Sequence, residues 1–134
     1  MPNIDNCKII ELERICSDKG SLTFIESEIS APFNIKRVYF TYDIPTEAER
    51  GGHAHKNLYQ LIFAASGSFN VSIDDGINQT SYFLNNPQKG LLITPGIWRE
   101  INNFSTGSTV LVMASELYDE DDYIRDYKKF KNKC

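Results

Sequence analysis

Arg50-Gly51-Gly52-His53-Ala54-His55-Lys56-Asn57-Leu58-Tyr59-Gln60, running on to Gly67, holds both histidines of a 134-residue chain. Imidazole is the side chain best suited to moving protons near neutral pH and is also a common metal ligand, so this stretch concentrates the chemistry. In a strand, residues two apart face the same side, which would send both rings into one space. The pair therefore either holds a metal or moves a proton.

Working outward, the flanking sequence is punctuated like an antiparallel β protein. Arg37-Val38-Tyr39-Phe40-Thr41-Tyr42, Tyr59-Gln60-Leu61-Ile62-Phe63 and Ser68-Phe69-Asn70-Val71-Ser72-Ile73 are short β-branched and aromatic runs. Asp75-Gly76 signals a hairpin turn, and Ser81-Tyr82-Phe83-Leu84, Gly90-Leu91-Leu92-Ile93-Thr94 and Ser108-Thr109-Val110-Leu111-Val112-Met113 follow. Strands of this length and spacing predict an all-β sandwich or barrel. Near the end the pattern changes. Asp119 is placed to cap a helix opening with Glu120, Asp121 and Asp122 and closing on lysines, with Tyr123, Ile124, Tyr127 and Phe130 on a docking face.

A chain of this size fits one domain, 1–134, with no internal repeat or linker. A net charge of −4 and no basic clustering beyond Lys128, Lys129, Lys131 and Lys133 argue against a nucleic-acid surface. Cys7, Cys16 and Cys134 form neither a Cys-x-x-Cys pair nor a dense framework and read as free thiols in a reducing compartment. With no signal-like or membrane-spanning apolar run, the expected location is the cytoplasm, with no membrane partner.

His53-x-His55, four intervening residues, Gln60, six more and Gly67 have the spacing of the first cupin motif. Gly90 through Pro95-Gly96-Ile97-Trp98-Arg99 to Asn103 resembles the second. The resemblance implies a cupin jelly-roll β-sandwich or barrel with a short C-terminal helix. Two departures decide the metal question: Gln60 stands where the metal-binding Glu would be, and Arg99 where the third His would be. A guanidinium is always charged and has no lone pair to give, and an amide brings no neutralising charge. No metal is expected. Two imidazoles, an amide and an arginine in a dry pocket are instead suited to moving a proton beside a carbonyl or anion.

Much of the chain also resembles the nucleotide-sugar 3,4-ketoisomerases, small cupins acting on dTDP-4-keto-6-deoxy-glucose. The similar segments are Pro32 to Tyr39, Arg50 to Lys56, Leu84 to Leu91, Trp98-Arg99-Glu100, and Ala114 through Tyr118-Asp119-Glu120-Asp121-Asp122-Tyr123-Ile124-Arg125-Asp126-Tyr127. The histidine motif is moderately specific, and its combination with the acidic-aromatic tail strongly so. The resemblance implies a redox-neutral shift of a ketone from C-4 to C-3 through an enediolate, without nicotinamide, flavin or metal. It places His55 as the proton-shuttling base, His53 on the carbonyl or a sugar hydroxyl, and Arg99, Gln60 and Tyr39 as enediolate donors. Arg37 and Arg50 are candidates for the diphosphate, and Trp98 and Glu100 for substrate binding. The product would feed 3-amino-3,6-dideoxyhexoses of bacterial surface glycans. A homodimer follows, with an N-terminal segment such as Lys8 to Leu12 pairing with a partner's sheet edge. The alternatives are a nucleotide-sugar epimerase, whose His/Asp and Tyr pattern is not visible in the sequence, and a non-catalytic ligand-binding cupin.

Overall fold

Arg37–Thr41, Arg50–His55, Gln60–Ser66, Phe69–Asp74, Gln79–Leu84, Lys89–Ile93 and Thr109–Ala114 are strands β4, β5, β6, β7, β8, β9 and β11 of the computed structural model, which describes residues 1–132. Lys133 and Cys134, the last lysine and last thiol of the sequence reading, lie outside the described residues. Lys8–Glu11 (β1), Arg14–Ser17 (β2), Gly20–Thr23 (β3), Trp98–Asn102 (β10) and Tyr123–Ile124 (β12) complete the set. One five-stranded sheet runs β1-β9-β6-β11-β4 and a second β12-β5-β10-β7-β8, every pairing being antiparallel. Together they form the expected all-β jelly roll, with β2 and β3 as a separate hairpin.

Alternation explains how the sheets close on each other. Phe69, Val71 and Ile73 of β7 and Val110 and Val112 of β11 point into one core with Ile62, Leu91, Ile93 and Ile101. On β6 the intervening residues are apolar too: Leu61 and Phe63 pack outward with Leu12, Ala31, Leu92 and Met113, because the N-terminal region covers that face. A strand buried on both faces reads as a continuous apolar run, as Leu61-Ile62-Phe63-Ala64 does. Trp98, Ala54 and Phe130 form a third cluster on the outer face of the second sheet.

One expectation is corrected. No single helix starts at Asp119. Its carboxylate caps a 3-10 turn over Glu120–Asp122, the chain then extends as β12 against β5, and Asp126 caps a short helix α1, Tyr127–Lys131. The local helix signals were sound, but strand pairing of Tyr123 with His55 and Ile124 with Ala54 divides them into two short pieces. At the other end, Lys8 to Glu11 forms β1 and pairs with Leu92 to Lys89. Arg125 sits just before α1 and pairs with Glu120 at 2.6 Å, the surface ion pair that its acidic neighbours suggest.

Candidate active site

Four strands aim side chains into one end of the barrel. Gly51 and Gly52 both adopt left-handed backbone (φ +83° and +68°), and a side-chain carbon at Gly51 would lie 3.0 Å from the Arg99 carbonyl. Glycine thus lets β5 approach β10 where its register shifts between Arg99 and Glu100, immediately before His53. His53 then lies opposite Arg99, and a cavity of about 80 Å³ is lined by His53, Arg99, Gln60, Tyr39 and Arg50 over a floor of Ile62, Ile101, Val110 and Val112.

A hydrogen-bond chain crosses this cavity. Arg99, entirely buried, donates through Nη1 to Gln60 Oε1 and through Nε and Nη2 to the Ile97 carbonyl. Gln60 Nε2 donates to the Tyr39 hydroxyl oxygen at 3.0 Å. Because that oxygen is already accepting, the hydroxyl proton of Tyr39 is free to be given elsewhere. Burial raises the Tyr39 pKa, keeping the phenol a neutral donor, and lowers that of Arg99 to about 10, which still leaves the guanidinium charged at neutral pH.

The two imidazoles differ in setting. Their rings meet edge-on with centroids 4.8 Å apart. His53 lines the cavity, whereas His55 is wholly buried, and its Nδ1 lies 3.2 Å from Asp122 Oδ2. Burial first, and the Arg99 charge second, lower both pKa values, that of His53 to about 4. Both rings are therefore neutral near pH 7. His53 Nδ1 and His55 Nε2 are buried with no hydrogen-bond partner among the described residues.

Tyr123 packs across both rings, at 5.0 Å from His53 and 4.3 Å from His55. Arg125 covers Tyr123 at 4.2 Å and is held by Glu120, which also accepts from the Tyr118 hydroxyl at 2.5 Å. Arg37 stacks between Tyr39 and Tyr118, with Nε and Nη2 buried and unpartnered among the described residues. Sequence reasoning missed Asp122 and Tyr123, reading them as helix-forming residues. The fold nevertheless brings a His/Asp pair together, His55 and Asp122, across 67 positions.

Trp98 and Glu100 are not brought to the histidines. Alternation along β10 sends Arg99 inward and Trp98 outward, where the indole packs on Tyr127 and Phe130 and donates to Glu100 Oε2 at 3.0 Å. The donor set of the cavity does not fit the metal common in cupins. The third ligand position is a buried cation, and it consumes the amide oxygen of Gln60, leaving no carboxylate between the two imidazoles and a dication.

Residues 5–134 match the model of the family described as FdtA: WxcM-like, C-terminal. The chain belongs to this family. It is 43% identical over 124 residues, 92% of this chain and 89% of the relative, to a TDP-4-oxo-6-deoxy-α-D-glucose-3,4-oxoisomerase of Aneurinibacillus thermoaerophilus. Among solved structures of 3,4-ketoisomerases it is similar to a TDP-quinovose 3,4-ketoisomerase of Campylobacter jejuni (45% identity, TM-score 0.92, 96% of this chain and 99% of that one). It is also similar to a mutant 3,4-ketoisomerase of Thermoanaerobacterium thermosaccharolyticum in complex with TDP-4-keto-6-deoxyglucose (38% identity, TM-score 0.93, 96% and 93%). The two solved structures share the fold nearly end to end with this chain.

Proposed function

We propose that this WxcM-like chain is an isomerase that moves the ketone of a TDP-linked 4-keto-6-deoxyhexose from C-4 to C-3. The names of the relatives support the reaction class and the substrate. One observation carries the chemistry: a neutral imidazole, His53, shares a small cavity with a charged guanidinium and a phenol whose proton is uncommitted.

The C-3 proton passes to the base, the C–H electrons form the C-3/C-4 double bond, and the former C-4 carbonyl oxygen becomes an enediolate oxygen. A proton then returns to C-4, the O-3 hydroxyl loses its proton as C-3 becomes the ketone, and O-4 gains one. Hydrogens change places and no electron acceptor is required. The base must come within hydrogen-bond reach of the proton it takes. His53 lines the cavity and His55 is fully buried beside it, so the duties expected from the sequence are exchanged here: His53 works at the sugar and His55 next to it. Tyr39 donates to the developing oxyanion under the field of Arg99, with Gln60 linking the two. Arg37, with two unpartnered buried nitrogens, and Arg50 at the cavity wall suit the diphosphate.

The same reading includes a homodimer, a cytoplasmic location and a 3-keto product passed on to amination. Among the described residues no helix is long and apolar enough to cross a membrane. The test is proton NMR of TDP-4-keto-6-deoxyglucose incubated with the protein in deuterated buffer. A 3-keto product is expected. Persistence of the 4-ketone, or epimerisation alone, would overturn the reading.

A further inference from the structure

Asp122 is pinned from several directions. Oδ1 accepts the Asn57 amide at 2.8 Å, the main-chain carbonyl accepts the Lys56 amide at 2.9 Å, and the main-chain amide donates to the Asp119 carbonyl at 3.0 Å. Its neighbour Tyr123 is in register with His55 across the β12/β5 ladder. Oδ2 is thereby held 3.2 Å from His55 Nδ1. A carboxylate only accepts, so the neutral ring must carry its proton on Nδ1, and Nε2 is left with a lone pair. That Nε2 is buried and without a partner among the described residues, which is unusual for a histidine kept only for packing.

We infer that Asp122 is a positioning residue for the isomerisation: it fixes the tautomer of His55 so that a lone pair, not an N–H, lies next to the base His53. This rests on the function proposed above. When His53 takes the C-3 proton it becomes a cation in a dry site already holding Arg99. The ring centroids are 4.8 Å apart, and at that range a lone pair on the neighbouring ring favours the cation, whereas the opposite tautomer brings an N–H dipole next to it. The benefit arises in the transition state, so it belongs to kcat rather than to substrate binding.

Asp122→Asn separates this role from a structural one. The amide can still accept the Asn57 N–H through its oxygen, but it presents NH2 to His55 Nδ1, turning that nitrogen into the acceptor and moving the proton to Nε2. The expected loss in kcat is roughly 10²- to 10⁴-fold, the scale known for a mis-set histidine tautomer, with KM and TDP affinity within about threefold. Long-range ¹H–¹⁵N spectra read the tautomer directly, and with only two histidines the assignment is simple. The wild type should show His55 protonated at Nδ1 and the variant at Nε2. A kcat within threefold of wild type overturns the proposal, as does lost turnover with the Nδ1–H tautomer intact. If the variant does not fold, the wild-type spectrum decides alone: an Nε2–H or doubly protonated His55 at neutral pH overturns it. A wild type that forms no 3-keto product would count against the proposed function without touching the tautomer result.

Discussion

His53 and His55 are held neutral chiefly by burial, and this has a consequence for stability whose sign is fixed. A histidine whose folded pKa lies below its unfolded value of about 6.5 binds a proton more readily when unfolded, so acid favours unfolding. No penalty exists above that value. It grows as pH falls toward about 4, the value to which His53 is lowered. The melting temperature should therefore begin to drop near pH 6.5, before carboxylates titrate, and His53→Asn should flatten the decline. The same variant should lose turnover while keeping TDP affinity. A flat melting profile from pH 7 to 5, or an active variant, would refute this account of the ring. At this scale the residues were legible in two ways: His53, His55, Gln60 and Arg99 occupy cupin-motif positions, and Tyr39 lies in a segment of family resemblance; the two facing sheets bring His53, Gln60, Arg99 and Tyr39 around one cavity. Asp122 and Tyr123 were not: they reach His55 only through the fold, and their local context spells a helix start.

Among the elements, the strands with alternating or uniformly apolar runs were read close to their ends. The weak ones were not, since β10 is largely polar and β12 is two residues long; β10 exists through pairing to β7 and β5, and β12 through pairing to β5. The motif glycine that ends the β6 stretch has a physical reason. Gly67 turns β6 into β7 with φ +70°, and a side-chain carbon there would lie 2.6 Å from the hydroxyls of Ser105 and Ser108 and 2.8 Å from the Ser108 Cα. Those hydroxyls are engaged with the Ser68 amide and carbonyl, so the turn cannot open without breaking them. Gly67→Ala should lower unfolding free energy by about 1–3 kcal/mol, through overpacking and left-handed backbone strain together. Urea denaturation reads the shift. A midpoint unchanged from wild type would show that the turn accommodates the methyl group.

At the scale of the whole molecule, each five-stranded sheet keeps two edge strands, β1 and β4 in one and β12 and β8 in the other. β4 borders its sheet with its ladder bonds satisfied on one side only, by β11. Its outward side chains Val38 and Phe40 are 55% and 59% exposed, and Tyr42 beyond the strand is 61% exposed. A free edge lined with apolar residues is a template for another strand or sheet face, which soluble proteins rarely leave open. Of the alternate residues of the same strand, Tyr39 lines the cavity and Arg37 stacks on Tyr39, so an association along β4 would also stiffen that wall. Sedimentation of the wild type should give twice the 15.3 kDa chain mass. Phe40→Lys, which places a charge on the exposed face without touching the core, should yield monomers with intact secondary structure. Because β4 also supplies Tyr39, turnover should fall in step with dimer content as protein concentration is lowered. A wild type that sediments as a monomer, or a dimer indifferent to Phe40→Lys, would move the interface away from this edge.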